Sequence, residues 1–252
     1  MDNKSKTNDR IKCCSVNIDR MSDTSQILLD KYTDEEQIDF LFVQETGSTN
    51  KEKLKLSNMK LVTDPNKAVN RGAALYARNH FAITDLNEIS YVSPNIDSAW
   101  ALIVVQNTRY IVGSVYAKLH YDQAMNDVTK MLYKAEQLSE KHRAAGVIIA
   151  GDFNARHKAW GDTVQNKYGN LLYDKLDPMK FTIHYPDTPT YRFGKGHSTI
   201  DLYITSTRIS DKVEHCRTDE EVHLNNGAPL KGHLPVFCNL KVPQKKMQHQ
   251  KR

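Results

Sequence analysis

Apolar residues along the chain occur in two patterns, short unbroken runs and longer stretches with the spacing of one helix face. Short apolar runs bounded by polar residues are typical of buried strands. They predict strands at 11–17, 40–44, 73–77, 99–105, 110–116, 146–150, 199–204 and 236–240. Helical spacing predicts three helices, at 22–37, 121–143 and 168–176.

The connection between two of these strands limits the sheet topology. Residues 106–108 separate a strand at 99–105 from one at 109–116, and a three-residue loop is too short for the crossover that parallel neighbours need. We therefore expect an antiparallel hairpin here rather than a parallel doubly wound sheet. The alternation of strands and helices predicts an α/β fold, with two mixed sheets packed face to face and helices outside.

Length, charge and hydropathy narrow the class of protein. The chain has 252 residues and no Pro/Gly/Ser linker or internal repeat. One domain is expected at 11–241, between a disordered leader (1–10) and a basic tail or linker (242–252). The net charge of +5 permits a nucleic-acid partner without demanding one. A mean hydropathy of −0.61, without a long apolar run, argues against a membrane-spanning helix. The four cysteines include no CxxC pair, which favours reduced thiols in an intracellular protein.

The polar residues that follow or flank the apolar runs carry the candidate chemistry. Asn17, Glu45, Asp152, Asp201 and His233 each lie at an end or edge of a predicted strand, where ligand and catalytic groups gather in sheet proteins. Asp and Asn at strand ends are also common turn formers, an alternative that is weaker for Glu45 because Glu is a poor turn former. Together the set predicts an oxygen-rich site for a hard cation such as Mg²⁺, beside a histidine suited to phosphate-ester chemistry.

Six short motifs resemble a known superfamily in their order along the chain. They are SVN (15–17), QET (44–46), SVY (114–116), GDFN (151–154), STID (198–201) and GHLPV (232–236). The set resembles the endonuclease/exonuclease/phosphatase superfamily, which includes pancreatic DNase and the apurinic/apyrimidinic endonucleases. The segment GDFNARHKAWGD (151–162) is most similar to the apurinic-endonuclease-like domains of non-LTR (LINE-type, jockey-like) retrotransposons. The resemblance implies a four-layer α/β sandwich of two mixed, mostly antiparallel sheets.

The resemblance also implies an activity. Proteins of this kind are Mg²⁺-dependent DNA endonucleases, in which Mn²⁺ substitutes for Mg²⁺. They nick double-stranded target DNA by phosphodiester hydrolysis and leave a 3′-hydroxyl that primes reverse transcription. A downstream reverse transcriptase is then the expected covalent partner, no membrane is expected as a partner, and the nucleus is the expected place of action.

Each matching residue takes an expected role from the resemblance. Glu45 is the expected main metal ligand, with Asn17 beside it in the metal and phosphate shell. Asp152 is expected to orient or deprotonate the attacking water, helped by Asn154, which also touches the scissile phosphate. His233 is expected to hydrogen-bond the phosphoryl oxygen. The general-base role stays open between Asp152 and His233.

The remaining assignments surround this centre. Tyr116 is expected to hydrogen-bond a phosphate oxygen, and Asp201 to order the hydrogen-bond network. Thr190 and Ser198 match positions that contact the DNA strand or support the site. Arg192 lies in a predicted hairpin near the site and is a candidate contact to the DNA groove.

One departure from the family pattern leaves two alternatives open. The family reads Ser-Asp-His before the last strand, whereas this chain reads Lys231-Gly232-His233. The absent Asp is expected to orient the imidazole, so another acid, such as one in the acidic run 219–221, has to replace it or activity is reduced. The alternatives to a target-nicking endonuclease are therefore an abasic-site or other phosphoesterase of the same superfamily, and a catalytically impaired DNA-binding relic.

Two further side chains admit both a structural and a functional role. Arg71 precedes the predicted strand 73–77, and solvated surface is its expected environment, with a phosphate contact as the alternative. Trp160, in the loop after GDFN, is expected to anchor that loop by apolar packing, with DNA contact as the alternative.

Overall fold

The computed structural model describes residues 9–48, 50–63, 71–89, 93–118, 123–222, 224 and 232–242. Most of the predicted leader and tail lie outside these residues. The strands and α-helices of the described part are β1 (Arg10–Asn17), α1 (Asp23–Glu35), β2 (Phe40–Gln44), β3 (Met59–Thr63), β4 (Ala73–Arg78), β5 (Ala82–Asp85), β6 (Ile96–Val105), β7 (Thr108–Ala117), α2 (Ala124–Lys141), β8 (Gly146–Asp152), α3 (Lys167–Leu176), β9 (Phe181–His184), β10 (Tyr191–Phe193), β11 (Gly196–Ser198), β12 (Asp201–Ser206), β13 (Val213–Thr218), β14 (Gly232–His233) and β15 (Val236–Lys241).

The strands form two large sheets and one small sheet. The first sheet has the order β13-β15-β1-β2-β4-β3, and the second has the order β5-β6-β7-β8-β12-β9. Within them β1–β2 and β7–β8 are parallel, while the other pairs are antiparallel. The small sheet, β11-β10-β14, is antiparallel.

Apolar packing arranges these elements in four layers. Side chains from both large sheets, among them Phe42 and Tyr203 in edge-to-face contact, fill the space between the sheets. Leu29 and Tyr32 pack α1 on the outer face of the first sheet. The predicted stripe of α2 and the buried side of α3 cover the outer face of the second sheet. The predicted sandwich of two face-to-face mixed sheets with helices outside is confirmed.

Local signals in the sequence explain where the helices begin. Ser22 and Ser25 form a capping box, in which each side chain accepts from the other residue's backbone N–H. Asn166 caps α3 by accepting from the Gly169 N–H at 2.7 Å. Among the residues that the structure describes, no helix is long and apolar enough to cross a membrane. The cysteines are free thiols, and Cys13, Cys14 and Cys238 among them are buried.

The predicted hairpin is present, but its loop is shorter than expected. Val105 and Thr108 pair across the strands, so Gln106 and Asn107 alone form the turn. Both have positive φ, 48° and 71°, as a type I′ turn requires, and this turn matches the twist of the flanking strands. The three-residue loop predicted from the sequence is therefore wrong by one residue.

Burial of one histidine makes the stability of this fold depend on pH. His184 on β9 contacts the Thr205 hydroxyl through Nε2 at 2.8 Å, and burial lowers its pKa from 6.5 to about 4. Between these values the unfolded chain binds more protons than the folded one, so folding stability is complete above pH ~6.5 and falls towards pH ~4.

We expect His184→Gln to remove this dependence. Relative to the variant, the wild type should lose about 2 to 3 kcal/mol of unfolding free energy between pH ~7.5 and pH ~4.5. Urea unfolding at several pH values measures the difference, in which acid effects common to both proteins cancel. Parallel stability curves for the two proteins would show that His184 is not buried in its neutral form.

Candidate active site

The two parallel strand pairs bring polar side chains to one end of the sandwich. Asn17 lies opposite Gln44 at the ends of β1 and β2, and Tyr116 lies opposite Asp152 near the ends of β7 and β8. Asp201, at the start of β12, pairs with Asp152. Because parallel strands end at the same edge of a sheet, both sheets deliver their candidate residues to the same place.

The Asn17 amide joins the two sheets at this end. Its Nδ2 donates to Glu45 Oε1 and to Asp152 Oδ2, each at 3.0 Å. Its Oδ1 accepts from the Asp19 N–H at 3.1 Å. Since an N–H can donate only to the oxygen, this bond fixes the amide with its nitrogen toward the carboxylates. In this orientation Asn17 positions the two carboxylates, and its place in the metal and phosphate shell stays a prediction.

Glu45 turns its side chain toward the second sheet through an unusual backbone conformation. Gln44 and Glu45 are consecutive, and consecutive strand residues face opposite sides of a sheet. Glu45 has φ of 54°, a left-handed value that costs about 1 to 3 kcal/mol for a non-glycine residue. The carboxylate therefore reaches Asn17 on the same side as Gln44. Such strain is typical of functional positions.

Arg71 is part of this site, although the sequence favoured a solvated role for it. Its Nη1 donates to Glu45 Oε2 at 2.5 Å and to the Tyr116 hydroxyl at 3.0 Å. Gln44 pairs with Ala73 in the antiparallel register of β2 and β4, which places Arg71 beside Glu45. The sequence would have indicated the contact between Arg71 and Glu45 if the antiparallel pairing of β2 and β4 had been predicted.

The imidazole of His233 has a carboxylate partner, and that partner is Asp201. Nδ1 lies 3.0 Å from both Asp201 carboxylate oxygens, while Nε2 lies 3.7 Å from Asp152 Oδ2. Two of the upstream acids have other partners, because Asp219 accepts from the Tyr32 hydroxyl at 2.6 Å and Glu220 accepts from Arg192. Gly232 therefore does not leave His233 without an orienting acid.

Burial and charge shift the pKa values of Asp152 and His233 upward. Burial raises the pKa of Asp152 to about 7, against the opposing charge of His233 and with the help of Asp201. Burial alone would lower the pKa of His233, but the charge and hydrogen bond of Asp201, followed by Asp152, raise it to about 9. His233 is consequently cationic near neutral pH.

Asn154 is fixed at the edge of the site by its own backbone and side chain. It has φ of 50°, its N–H donates to Asp152 Oδ1 at 2.9 Å, and its Nδ2 donates to the Ala117 carbonyl at 2.9 Å. The left-handed conformation suits Asn better than most residues. Asn154 and Asn17 therefore hold different oxygens of the Asp152 carboxylate, Oδ1 and Oδ2 respectively.

Two of the three residues predicted to contact DNA are buried behind the site. Thr190 is fully buried, and its Oγ1 accepts from the backbone N–H groups of Ile200 and Asp201 at 3.1 Å. Ser198 is buried too, and its carbonyl accepts from the Thr190 N–H at 3.0 Å. Burial favours the second of the two expected roles, support of the site, and Thr190 supports Asp201 directly because its Oγ1 accepts from the Asp201 N–H. Arg192 is half-buried and bonds Glu220 at 2.5 Å, and its DNA contact stays a prediction.

A buried polar network beneath the site was missed from the sequence. Gln44 Nε2 donates to Ser114 Oγ at 3.1 Å, and Ser114 Oγ donates to the Val43 carbonyl at 3.1 Å. The Ser15 hydroxyl lies 3.4 Å from Gln44 Oε1. These three side chains are the first residues of the motifs SVN, QET and SVY. The motifs therefore contained the signal for this network, although the resemblance assigns roles only to their later residues.

The structure offers two overlapping ways to hold a metal ion. Asp152, Asp201 and His233 place one ligand atom each within 4.8 Å of one another. Glu45 and Asp152 present carboxylate oxygens that share the Asn17 amide as donor. In the first set His233 Nδ1 is already bonded to Asp201, whereas the second set consists of carboxylate oxygens alone, the ligands that a hard cation prefers.

The sandwich of two mixed sheets has the form of the endonuclease/exonuclease/phosphatase fold. A family model described as endonuclease-reverse transcriptase matches residues 110–226. The resemblance read from the six motifs is confirmed. No curated protein sequence matches the chain.

Solved structures of low sequence identity share the fold. The endonuclease domain of TRAS1, a telomere-specific non-LTR retrotransposon, is 15% identical over 93% of this chain and 100% of that one, with a TM-score of 0.72. The AP endonuclease LMAP from Leishmania major is 13% identical over 93% and 88%, also at 0.72. The 3′ phosphatase NExo from Neisseria, bound to a product DNA hairpin, is 14% identical over 91% and 99%, at 0.61.

The Asp201–His233 contact predicts how the imidazole titrates. We expect Asp201→Asn to lower the pKa of His233 from about 9, because the variant loses the charge and hydrogen bond that oppose burial most, while the charges of Asp152 and Glu45 remain. An NMR titration of the metal-free protein measures the change. Asp219→Asn is the matched control and should leave the pKa of His233 where it is. An unchanged value in Asp201→Asn would mean that another group holds the imidazole.

Proposed function

We propose that this protein is a Mg²⁺-dependent DNA endonuclease that nicks one strand of target DNA and leaves a 3′-hydroxyl. The observation that supports it most is the convergence of Glu45, Asp152 and an Asp201-bound His233 at the joined ends of two sheets. The fold shared with the TRAS1 retrotransposon endonuclease domain adds support. Because TRAS1 is a telomere-specific non-LTR retrotransposon, target DNA is the favoured substrate.

The chemistry of the donor set fits a magnesium ion. Glu45 and Asp152 are buried carboxylates whose oxygens converge on one amide, and Mg²⁺ prefers one or two carboxylates together with waters and phosphate oxygens. Glu45 would be the main ligand, with Asp152 next to it. The bound ion would neutralise charge developing on the phosphate and acidify water. Mn²⁺, with similar oxygen preference, should replace it.

The residues divide the remaining work between proton transfer and charge stabilisation. Asp152, whose pKa is raised to about 7, accepts a proton from the attacking water, whose oxygen bonds to phosphorus. His233, whose pKa is raised to about 9, donates a hydrogen bond to a phosphoryl oxygen as that oxygen gains negative charge. The bond from phosphorus to O3′ breaks, and O3′ takes up a proton to become the 3′-hydroxyl.

The two alternatives differ in how well they agree with the site. A catalytically impaired relic is disfavoured. That alternative rested on a His233 without an acidic partner, and Asp201 is such a partner. An abasic-site endonuclease is the second candidate, since AP endonucleases share the fold at an equal TM-score. The substrate panel below separates it from target nicking.

The wider setting of the reaction follows from the same proposal. Double-stranded DNA is the partner, with Arg192 as a candidate groove contact. A reverse transcriptase linked to this domain would extend the 3′-hydroxyl, in agreement with the description of the matching family model. Since the target DNA of such a reaction lies in the nucleus, we propose that the protein acts there.

The proposal predicts the behaviour of carboxylate variants in a plasmid-nicking assay. With Mg²⁺ the wild type should convert supercoiled plasmid to open circles, and with chelator it should not. Glu45→Gln and Asp152→Asn should each lose at least about a hundredfold in rate, or ~2.7 kcal/mol in barrier, because metal binding or water activation fails. The exposed Glu88, paired with Lys141, gives a matched control in Glu88→Gln, which should nick normally.

Substrate preference decides between the two active alternatives. A nicking endonuclease should cut intact plasmid and leave ends that a polymerase extends, whereas an abasic-site enzyme should cut only duplexes that carry an abasic site.

Either carboxylate variant with more than about a tenth of wild-type rate, a loss under ~1.4 kcal/mol, would contradict its assigned role.

Restoring the family's usual acid at Gly232 should not accelerate the reaction. Gly232 has φ of 119°, a conformation that L side chains rarely adopt, and Asp201 already holds Nδ1 of His233. We expect Gly232→Asp to nick no faster than wild type and to lose about 1 to 3 kcal/mol of stability. Melting temperature and nicking rate measure the two effects. A stable variant with a faster rate would show that Asp201 orients His233 incompletely.

A further inference from the structure

Arg71 competes with any other cation for the carboxylate of Glu45. Both oxygens of that carboxylate already accept a hydrogen bond, Oε1 from Asn17 at 3.0 Å and Oε2 from Arg71 at 2.5 Å. The Arg71 guanidinium also donates to the Tyr116 hydroxyl and lies 5.9 Å from the centre of that ring. A divalent ion that binds Glu45 therefore meets a resident positive charge.

The backbone that carries Arg71 is held firmly in place. The Arg71 carbonyl accepts from the Gly47 N–H at 2.5 Å and from the Thr46 hydroxyl at 3.3 Å. The next residue, Gly72, has φ of 85° and donates its N–H to Asp97 Oδ2 at 3.0 Å. A Cβ at Gly72 would lie 2.6 Å from Thr46 Oγ1, so this close approach requires glycine. The backbone of Arg71 is therefore fixed, and only its side chain can move.

Of the two donors on Glu45, Arg71 is the one that can withdraw. Asn17 is 1% exposed, and the nitrogen that bonds Glu45 also bonds Asp152. If Asn17 moved away from Glu45, the link between the two carboxylates would be lost. The Arg71 side chain is 52% exposed, and a divalent ion on Glu45 repels its charge. A displaced guanidinium remains tethered beside Tyr116, on the open side of the site.

We propose that Arg71 exchanges partners during the reaction, leaving Glu45 when the metal binds and contacting a substrate phosphate oxygen instead. This inference rests on the proposed function. Guanidinium presents several N–H donors in a plane and binds phosphate by paired hydrogen bonds. Arg71 thus keeps the Glu45 carboxylate neutralised before metal binding and supplies a second positive charge to the phosphate afterwards.

The first test measures metal affinity without DNA. Arg71→Gln should bind Mn²⁺ about two- to fivefold more tightly than wild type, the scale of a half-exposed ion pair, because a competitor for Glu45 is lost. Arg71→Lys should stay near the wild type. Arg109, exposed at the other end of β7, gives the matched control Arg109→Gln, which loses the same charge and should not change the affinity. Weaker or unchanged Mn²⁺ binding in a folded Arg71→Gln would overturn the exchange.

The second test measures the phosphate contact. At saturating Mg²⁺, Arg71→Gln should nick about ten- to a hundredfold more slowly than wild type and Arg109→Gln, as expected for a lost donor to developing charge. With Ca²⁺, a divalent ion that also takes oxygen ligands, the salt dependence of DNA binding should be shallower for Arg71→Gln than for wild type by about 0.9 in log–log slope, whereas in chelator, where Arg71 stays on Glu45, the two slopes should agree. A wild-type nicking rate in Arg71→Gln would contradict the contact. If the wild type itself fails to nick, the proposed function fails, while the Mn²⁺ affinities still decide the competition for Glu45.

Discussion

The hydrogen bonds of the Asn17 amide are the constraint on which the rest of the site depends. One nitrogen holds a carboxylate from each large sheet, and the Asp19 N–H prevents the amide from turning over. Two buried negative groups would otherwise repel each other across the sandwich, at a distance where protein surroundings screen poorly. Because Asn17 ends the central strand β1, the position of this donor is set by the core of the first sheet and not by a loop.

The same end of the sandwich has a second polar layer beneath the reactive one. Gln44 bonds to Ser15 and to Ser114 between the sheets. These three residues precede Glu45 by one position and Asn17 and Tyr116 by two positions. Buried polar groups of this kind specify a unique alignment when all of them are bonded. The alignment of the two sheets, and hence the distance between Glu45 and Asp152, is therefore fixed by the motifs as whole segments.

The sequence predicted the central strands and helices well because they are apolar on at least one face. It missed the strands at the edges of both large sheets, β3, β5, β9 and β13, since an edge strand carries little periodic signal. The six motifs located Glu45, Asp152, Asp201 and His233. Three facts lay beyond them, because each depends on contacts distant in sequence: the orientation of the Asn17 amide, the pairing of Arg71 with Glu45, and the burial of Thr190. The spacing of residues 231–233 also suggested a missing acid, which β12 supplies from elsewhere.

The pairing of β1 with β15 has a consequence for how this domain connects to others. β1 runs antiparallel to β15, with Arg10 opposite Lys241 and Ser15 opposite Val236. β1 starts at Arg10 and reaches the catalytic end at Asn17, about 23 Å away at the rise of a strand. Polypeptide that precedes Arg10 or continues from Lys241 thus begins at neighbouring points on the far side of the molecule. For the proposed function, a domain fused at either point would leave the end that carries Asn17 open to a DNA duplex.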